Sequence, residues 1–269
     1  MIIDEVLNEK VFFYNEDANL YNENCYDYDI NRCFATILKE HNLIDLTSIE
    51  KERANIAIGN IIKDNKRVYT EILKKTTREI LQEYIRINNI TIDDVICIER
   101  DGFILNKYIN NSTKIFNKYN IRLKNKYNLL LINPGNIREM LLLSEDGVRL
   151  KGMSEKSIGI EEFIYKHLKN YPVLSKQELY KIISNMQREF YTTDEISIFL
   201  INKMKDNIFR LYCKEGTVDI NNMSDMNEYK ATDFKIDRQY YYQKYLYNFL
   251  NIIASNKFDF QNKKFKSYV

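Results

Sequence analysis

Residues 95–105 read VICIERDGFIL, two short runs of apolar, β-favouring residues around a polar break that ends in Asp101-Gly102. That pattern predicts an antiparallel hairpin turning at the Asp-Gly pair. A hairpin of this length is not stable alone and needs a sheet to join. Two earlier runs, VFFY at 11–14 and CYDYDI at 25–30, read as strands, and the two-residue period places Cys25, Asp27 and Asp29 on one face.

Between these strands the pattern is helical. A short helix is expected from Asn31 to about Glu40. Thr47 and Glu50 form a TxxE capping box, opening a helix through KERANIAIGN that is expected to break near Gly59. The stretch RVYTEILKKTTREILQEYIRI repeats apolar residues at helical spacing and predicts a longer helix. After the hairpin, IRLKNKYNLLLI, Pro134-Gly135 and REMLLLSEDGVRLKG read as further strands and turns. Beyond about Ser154 the expectation is helices, at EEFIYKHLKNY, SKQELYKIISNMQREF and DRQYYYQKYLYNFLNIIA. The layout is α+β: a mixed core followed by a helical C-terminal region.

Composition narrows the function classes. Apolar content of 45% with 29% charged residues marks a globular chain that can bury a core. No apolar run approaches the ~20 residues of a membrane span, and MIIDEVLNEK has neither the basic start nor the apolar stretch of a signal peptide. Four scattered cysteines and only His41 and His167 make a zinc site a poor expectation; thiols in a reducing cytoplasm fit better. Net charge is only +2, which excludes a general polyanion binder, yet residues 107–130 hold six Lys or Arg and no acid, interleaved with Tyr and Phe. Such a stretch suits a phosphate backbone, and a solvated basic face explains it equally well.

Candidate chemistry lies in the acids near strand ends. Glu99 and Asp101 flank Arg100 in the hairpin turn, and Asp29 ends the strand CYDYDI. Converging, Asp29 and Asp101 would hold one or two divalent cations. Hard oxygen donors without His or Cys favour Mg²⁺ or Mn²⁺, and two such ions about 4 Å apart suit in-line phosphoryl transfer. On the predicted capped helix, Lys51, Asn55 and Gly59 lie at i, i+4 and i+8 and share one stripe. Lys51 would offer a cation to a phosphate, Asn55 an amide, and Gly59 room for close approach.

These blocks, in this order, resemble family B DNA polymerases. That family carries Asp-x-x-Ser-Leu-Tyr-Pro, then Lys-x-x-x-Asn-Ser-x-Tyr-Gly, then an Asp-Thr-Asp-Ser hairpin. YDINRCFAT is similar to the first block, with Asp29 at the metal-binding position and Phe34 where the family has the aromatic that screens the sugar 2′ position. Were Asp27 the ligand, Arg32 would stand there instead, a worse fit. KERANIAIG is similar to the second block, with Ile56 and Ile58 replacing Ser and Tyr, and IERDGF to the third, with Asp101 as the essential acid and Glu99 as its companion. Downstream, Arg138 and Lys151 fall in the family's primer-contact block and its Ile-Lys-Gly ending, although Glu139 and Met140 replace a base and a tyrosine. IDRQYYYQKYLYNFLNII resembles the late Asp-x-x-Tyr-Tyr helix of the thumb.

The resemblance, over roughly residues 25–255, implies a palm-like antiparallel sheet with packed helices at 1–153, a short fingers-like helix at about 47–66, and a helical thumb-like region at 154–269. It implies metal-dependent transfer of deoxynucleotides to a primer 3′-hydroxyl, with two Mg²⁺ or Mn²⁺ ions on Asp29, Asp101 and Glu99, and catalysis by Asp29, Asp101 and Lys51. Lys51, Asn55, Phe34 and Arg32 would bind the nucleotide; Arg138, Lys151, Lys124 and Lys126 would grip primer-template DNA. Only some 24 residues precede the first motif, so no exonuclease domain and no proofreading are expected. The 22 positions between Asp29 and Lys51 leave little of the family's first fingers helix, whose basic residues Arg32, Arg53 or Lys63 would replace. The expected setting is a cytoplasm, a host's if the chain is viral, with no membrane and with a partner chain as a source of missing fingers or exonuclease functions. The alternative is a noncatalytic, polymerase-like nucleic-acid-binding or assembly subunit of a viral replication or transcription complex.

Overall fold

The structure, a computed structural model, describes residues 13–14, 20–21, 24–64, 66–110, 114–133, 136, 138–153, 155–170, 176–203, 208–220, 229–254, 258–259 and 264–265. Val11, Phe12, Pro134 and Gly135 of the expected strands and turn lie outside them. Contacts divide the chain into two compact units, one of residues 1–15 and 25–126 and one of residues 16–24 and 127–269. Residues 127–153 therefore group with the C-terminal elements, whereas the expected palm continues to residue 153.

In the first unit a six-stranded sheet runs in the order β1-β4-β5-β3-β7-β6. Its strands are β1 (Phe13–Tyr14), β3 (Cys25–Ile30), β4 (Val95–Ile98), β5 (Gly102–Leu105), β6 (Lys114–Ile115) and β7 (Tyr119–Tyr127). The 95–105 hairpin forms, with β4 and β5 antiparallel, but Gly102 opens β5 and the turn falls on residues 99–101 rather than on the expected Asp-Gly pair; β5 pairs antiparallel with β3 on its other side. Tyr28 and Ile30 of β3 pack with Phe103 and Leu105 into one core. The alternate residues Asp27 and Asp29 project to the other face. Helices α1 (Cys33–Glu40), α2 (Lys51–Asp64) and α3 (Lys66–Ile87) close that core. Tyr28, Tyr84 and Phe103 form its aromatic centre, with ring centroids 5.5 to 6.3 Å apart. The Tyr28 hydroxyl accepts from the Ile109 amide at 2.7 Å, so its buried polar tip is satisfied.

Two local expectations fail for identifiable reasons. The Thr47–Glu50 capping box does not form, because Asp45 captures both the Thr47 amide (3.0 Å) and its hydroxyl (2.6 Å). α2 instead starts at Lys51, with the Glu50 carbonyl accepting from the Ala54 amide at 2.9 Å. Gly59 does not break the helix, which continues to Asp64; one glycine costs a helix interior only about 1 kcal/mol.

In the second unit the strands β2 (Leu20–Tyr21), β8 (Leu129–Ile132), β9 (Met140–Leu143) and β10 (Val148–Lys151) join one antiparallel sheet. Alternate leucines, Leu129 and Leu131 of β8 and Leu141 and Leu143 of β9, pack with helices α4 (Ile160–Leu168) and α5 (Lys176–Thr192). The last helical stretch runs as α6 (Arg238–Tyr242), a π-helical turn (Gln243–Tyr247) and α7 (Asn248–Ala254). Asp237 caps it by accepting from the Tyr240 amide at 3.1 Å, and Tyr241 is fully buried, its hydroxyl accepting from the Tyr212 amide. The region beyond Ser154 is not wholly helical. Strands β11 (Ile201–Lys203), β12 (Ile208–Cys213) and β13 (Gly216–Ile220) form a three-stranded antiparallel sheet within it. The α+β class holds throughout.

Two glycines of the first unit predict substitutions of opposite sign. A Cβ at Gly102 would stand 2.3 Å from the Tyr28 carbonyl oxygen, backbone that cannot swing aside. Gly102→Ala is expected to cost at least about 1–3 kcal/mol, the range for overpacking. A Cβ at Gly59 meets nothing within 4 Å, so Gly59→Ala should add up to about 1 kcal/mol of helix stability. Urea unfolding of both variants checks the pair.

Candidate functional site

Antiparallel pairing of β3 with β5 sets Asp29 opposite Gly102. The Ile30 amide donates to the Asp101 carbonyl at 3.0 Å, and the Glu99 amide donates to the Gly102 carbonyl at 2.8 Å, closing the turn. Two acids 72 positions apart in sequence thus sit on adjoining strand ends. Both line one cleft of about 390 Å³ inside the first unit.

The opposite wall of the cleft is α2. Lys51, Ala54, Asn55, Ile58 and Gly59 all line it, a spacing of three and four residues that marks one helical face. Ala54 and Ile58 are buried and hold the helix to the core, while Lys51, Asn55 and Gly59 are exposed in the cleft. Lys51 is also the first residue of the helix, where the helix dipole favours anions. Half-buried Phe34 on α1 completes the lining, with Cys33 beside it. Burial pushes the Cys33 thiol up to about 12, which excludes it as a nucleophile near neutral pH.

Arg32, at the edge of the same cleft, serves the fold. It stands in the left-handed region (φ 50°) as the residue before α1. Its Nη2 donates to the carbonyls of Leu46 (3.2 Å) and Ile49, bracing the loop that delivers Lys51.

Asp29 and Asp101 differ electrostatically. The Asp29 side chain is only 12% exposed, and each of its oxygens meets a base from β7: Arg122 Nε lies 3.4 Å from Oδ1 and Lys124 Nζ 3.2 Å from Oδ2. Asp101 titrates above the usual carboxylate range; burial is the main cause and repulsion by Asp29 the second, with Lys124 opposing both. Its proton affinity is thus raised by desolvation and by the neighbouring carboxylate.

Several expected residues are not in the cleft lining. Glu99 stays at the turn, and its charge helps raise the titration of Asp101. Asp27 is buried deeper in β3, and Lys126 is exposed near the end of β7. Arg138 and Lys151 belong to the second unit, where β9–β10 pairing sets Lys151 opposite Met140. Gly152 (φ 79°) passes so close to the Arg138 carbonyl that no side chain fits there. Glu139, at a position where the resembled family has a base, accepts from the side-chain amides of Asn133 (2.7 Å) and Asn136 (3.0 Å).

Sequence reading missed Arg122 and gave Lys124 to DNA rather than to Asp29. The alternation in IRLKNK puts both bases on one face of β7. Their target becomes visible only once β7 is known to neighbour β3.

The cleft's donors fit a hard divalent cation: two carboxylates with no imidazole or reactive thiol. Among the described residues no group of three or more His, Cys, Asp or Glu is arranged to hold a metal, so Asp29 and Asp101 would be its only side-chain ligands of those types.

No family model and no curated protein matches the chain. A family B DNA polymerase from the hyperthermophilic archaeon Pyrobaculum calidifontis has a similar fold at a distance: TM-score 0.42 and 10% identity over 91% of this chain. The match spans 46% of that polymerase, about half its length. Among the described residues no helix is long and apolar enough to cross a membrane.

The state of Asp101 has a consequence for stability. An acid titrating higher in the folded chain than in the unfolded one favours folding while protonated, and that contribution is lost as pH rises through the folded value. Asp101→Asn should therefore raise the thermal midpoint at pH 7, with the gain fading as the buffer approaches the ordinary carboxylate range. Scans of both proteins between pH 4 and pH 8, a range chosen to span about one carboxylate titration, check the sign.

Proposed function

We propose that the first unit carries a nucleotidyl-transfer site of family B polymerase type, acting on deoxynucleoside triphosphates and a primer 3′-hydroxyl. One observation carries the reading: Asp29, Asp101 and Lys51, from three separate segments, line the same cleft. In the reaction the primer 3′-hydroxyl releases its proton to solvent as its oxygen bonds to the α-phosphorus, the bond from that phosphorus to the oxygen bridging to the β-phosphate breaks, and pyrophosphate leaves with that electron pair. Divalent charge held at Asp29 and Asp101 would supply Lewis-acid activation of the attacking hydroxyl and stabilise the leaving group. Lys51, at the helix N-terminus, sets positive charge against the triphosphate as its charge shifts toward pyrophosphate. Asn55 orients the nucleotide by its amide, Gly59 lets it approach the helix, and Phe34 excludes a 2′-hydroxyl by contact. Glu99 adds negative potential at the turn. Arg138, Lys151 and Lys126 provide phosphate contacts that position DNA without reading its sequence. A cytoplasmic setting fits this chemistry.

A second reading has its own observation. Both oxygens of Asp29 already meet basic side chains, as expected if a polymerase-like chain binds nucleic acid without turnover. Primer extension with Mg²⁺ or Mn²⁺ separates the two. The catalytic reading predicts extension that falls more than about 100-fold in Asp29→Ala and in Asp101→Ala, beyond the 10–100-fold loss typical of residues that only support a metal ligand. Phe34→Ala should extend with ribonucleotides more readily than the parent. Primer-template binding without extension, indifferent to both aspartate substitutions, would establish the binding subunit instead.

A further inference from the structure

The bases on Asp29 are not equivalent. Arg122 meets Oδ1 from outside the cleft, while Lys124 meets Oδ2 and itself lines the cleft. The charge of Lys124 also acts on Asp101, so both carboxylates feel one ammonium. Neither contact is tight. At 3.4 and 3.2 Å both exceed the 2.7–2.9 Å usual for a charge-assisted hydrogen bond. Lys124 is 37% exposed, so it is reachable from solvent and not locked into a core.

We infer that Lys124 is a resident cation of this site, supplying charge that a second divalent ion would otherwise bring, and that the Asp29–Asp101 pair consequently takes one divalent ion rather than two. The inference rests on the nucleotidyl-transfer reading and deepens it. Charge balance supports it. The charged side chains lining the cleft are Arg32, Lys51 and Lys124 against Asp29 and Asp101, so the cleft favours an anion before any metal enters. Ligand supply supports it too. A two-ion site is ordinarily bridged by carboxylates with oxygens to spare. Here the cleft-side oxygen of Asp29 is engaged by Lys124, and Glu99 does not line the cleft. Enough lone pairs remain on Asp101 and Asp29 for one shared ion.

The test is a count of bound Mn²⁺ per chain, from the electron paramagnetic resonance signal of free Mn²⁺ during titration of the purified full chain. The parent should bind one Mn²⁺, lost in Asp101→Asn. Lys124→Gln should bind a second ion, or the first at least about tenfold more tightly, and Lys124→Arg, which keeps the charge, should behave as the parent. Thermal midpoints of the variants show that each is folded. Two ions in the parent, or equal stoichiometry and affinity in the parent and Lys124→Gln, would overturn the role of Lys124 and leave the nucleotidyl-transfer reading standing. No Mn²⁺ bound by either protein would overturn both.

Discussion

The chemistry of the first unit depends on a single backbone approach. β5 comes so near β3 at Gly102 that a methyl group there would stand 2.3 Å from the Tyr28 carbonyl. That proximity lets the Ile30 amide reach the Asp101 carbonyl and brings the hairpin turn against the end of β3. A side chain at residue 102 would push the strands apart, and the two carboxylates with them. The aromatic packing of Tyr28, Tyr84 and Phe103 supports the same pairing from the core side. The α2 face then meets a feature already fixed by the sheet, with Arg32 holding the loop that leads to it.

Several features of the cleft work against stability. Asp101 is half-buried beside another acid and binds its proton more readily than an ordinary carboxylate. Gly59 sits inside a 14-residue helix at a position where an added Cβ would meet nothing within 4 Å. Fold stability alone would favour an amide at the first position and an alanine at the second. Local costs of this kind cluster where a surface is shaped for a ligand rather than for the fold. Lys124 offsets part of the cost at Asp29 and Asp101 by lending one charge to two carboxylates.

Much of this was legible in the sequence, because the signals are local. The hairpin at 95–105, the alternation of CYDYDI and the spacing of Lys51, Asn55 and Gly59 each follow from a fixed backbone period, and the structure reproduces all three, with the hairpin turn one residue before the Asp-Gly pair. The errors arose where a local rule met a competing partner. Thr47 has the spacing of a helix cap, but Asp45, two residues earlier, takes its hydrogen bonds. The sheet of β11–β13 went unseen because β13 is largely exposed and lacks the apolar alternation that announces a half-buried strand. The clasp on Asp29 was invisible for another reason: it joins residues 93 apart and depends on strand order, which no local pattern encodes.

The central claim is that Asp29 and Asp101 hold a divalent cation together in one cleft. Fe²⁺ bound in place of Mg²⁺ generates hydroxyl radicals in the presence of ascorbate and peroxide, and these cut the backbone beside the metal. Mass spectrometry of the fragments should show paired cuts near residues 29 and 101, both suppressed by excess Mg²⁺. Cuts at only one of the two positions, or scattered cuts that Mg²⁺ does not suppress, would contradict the account.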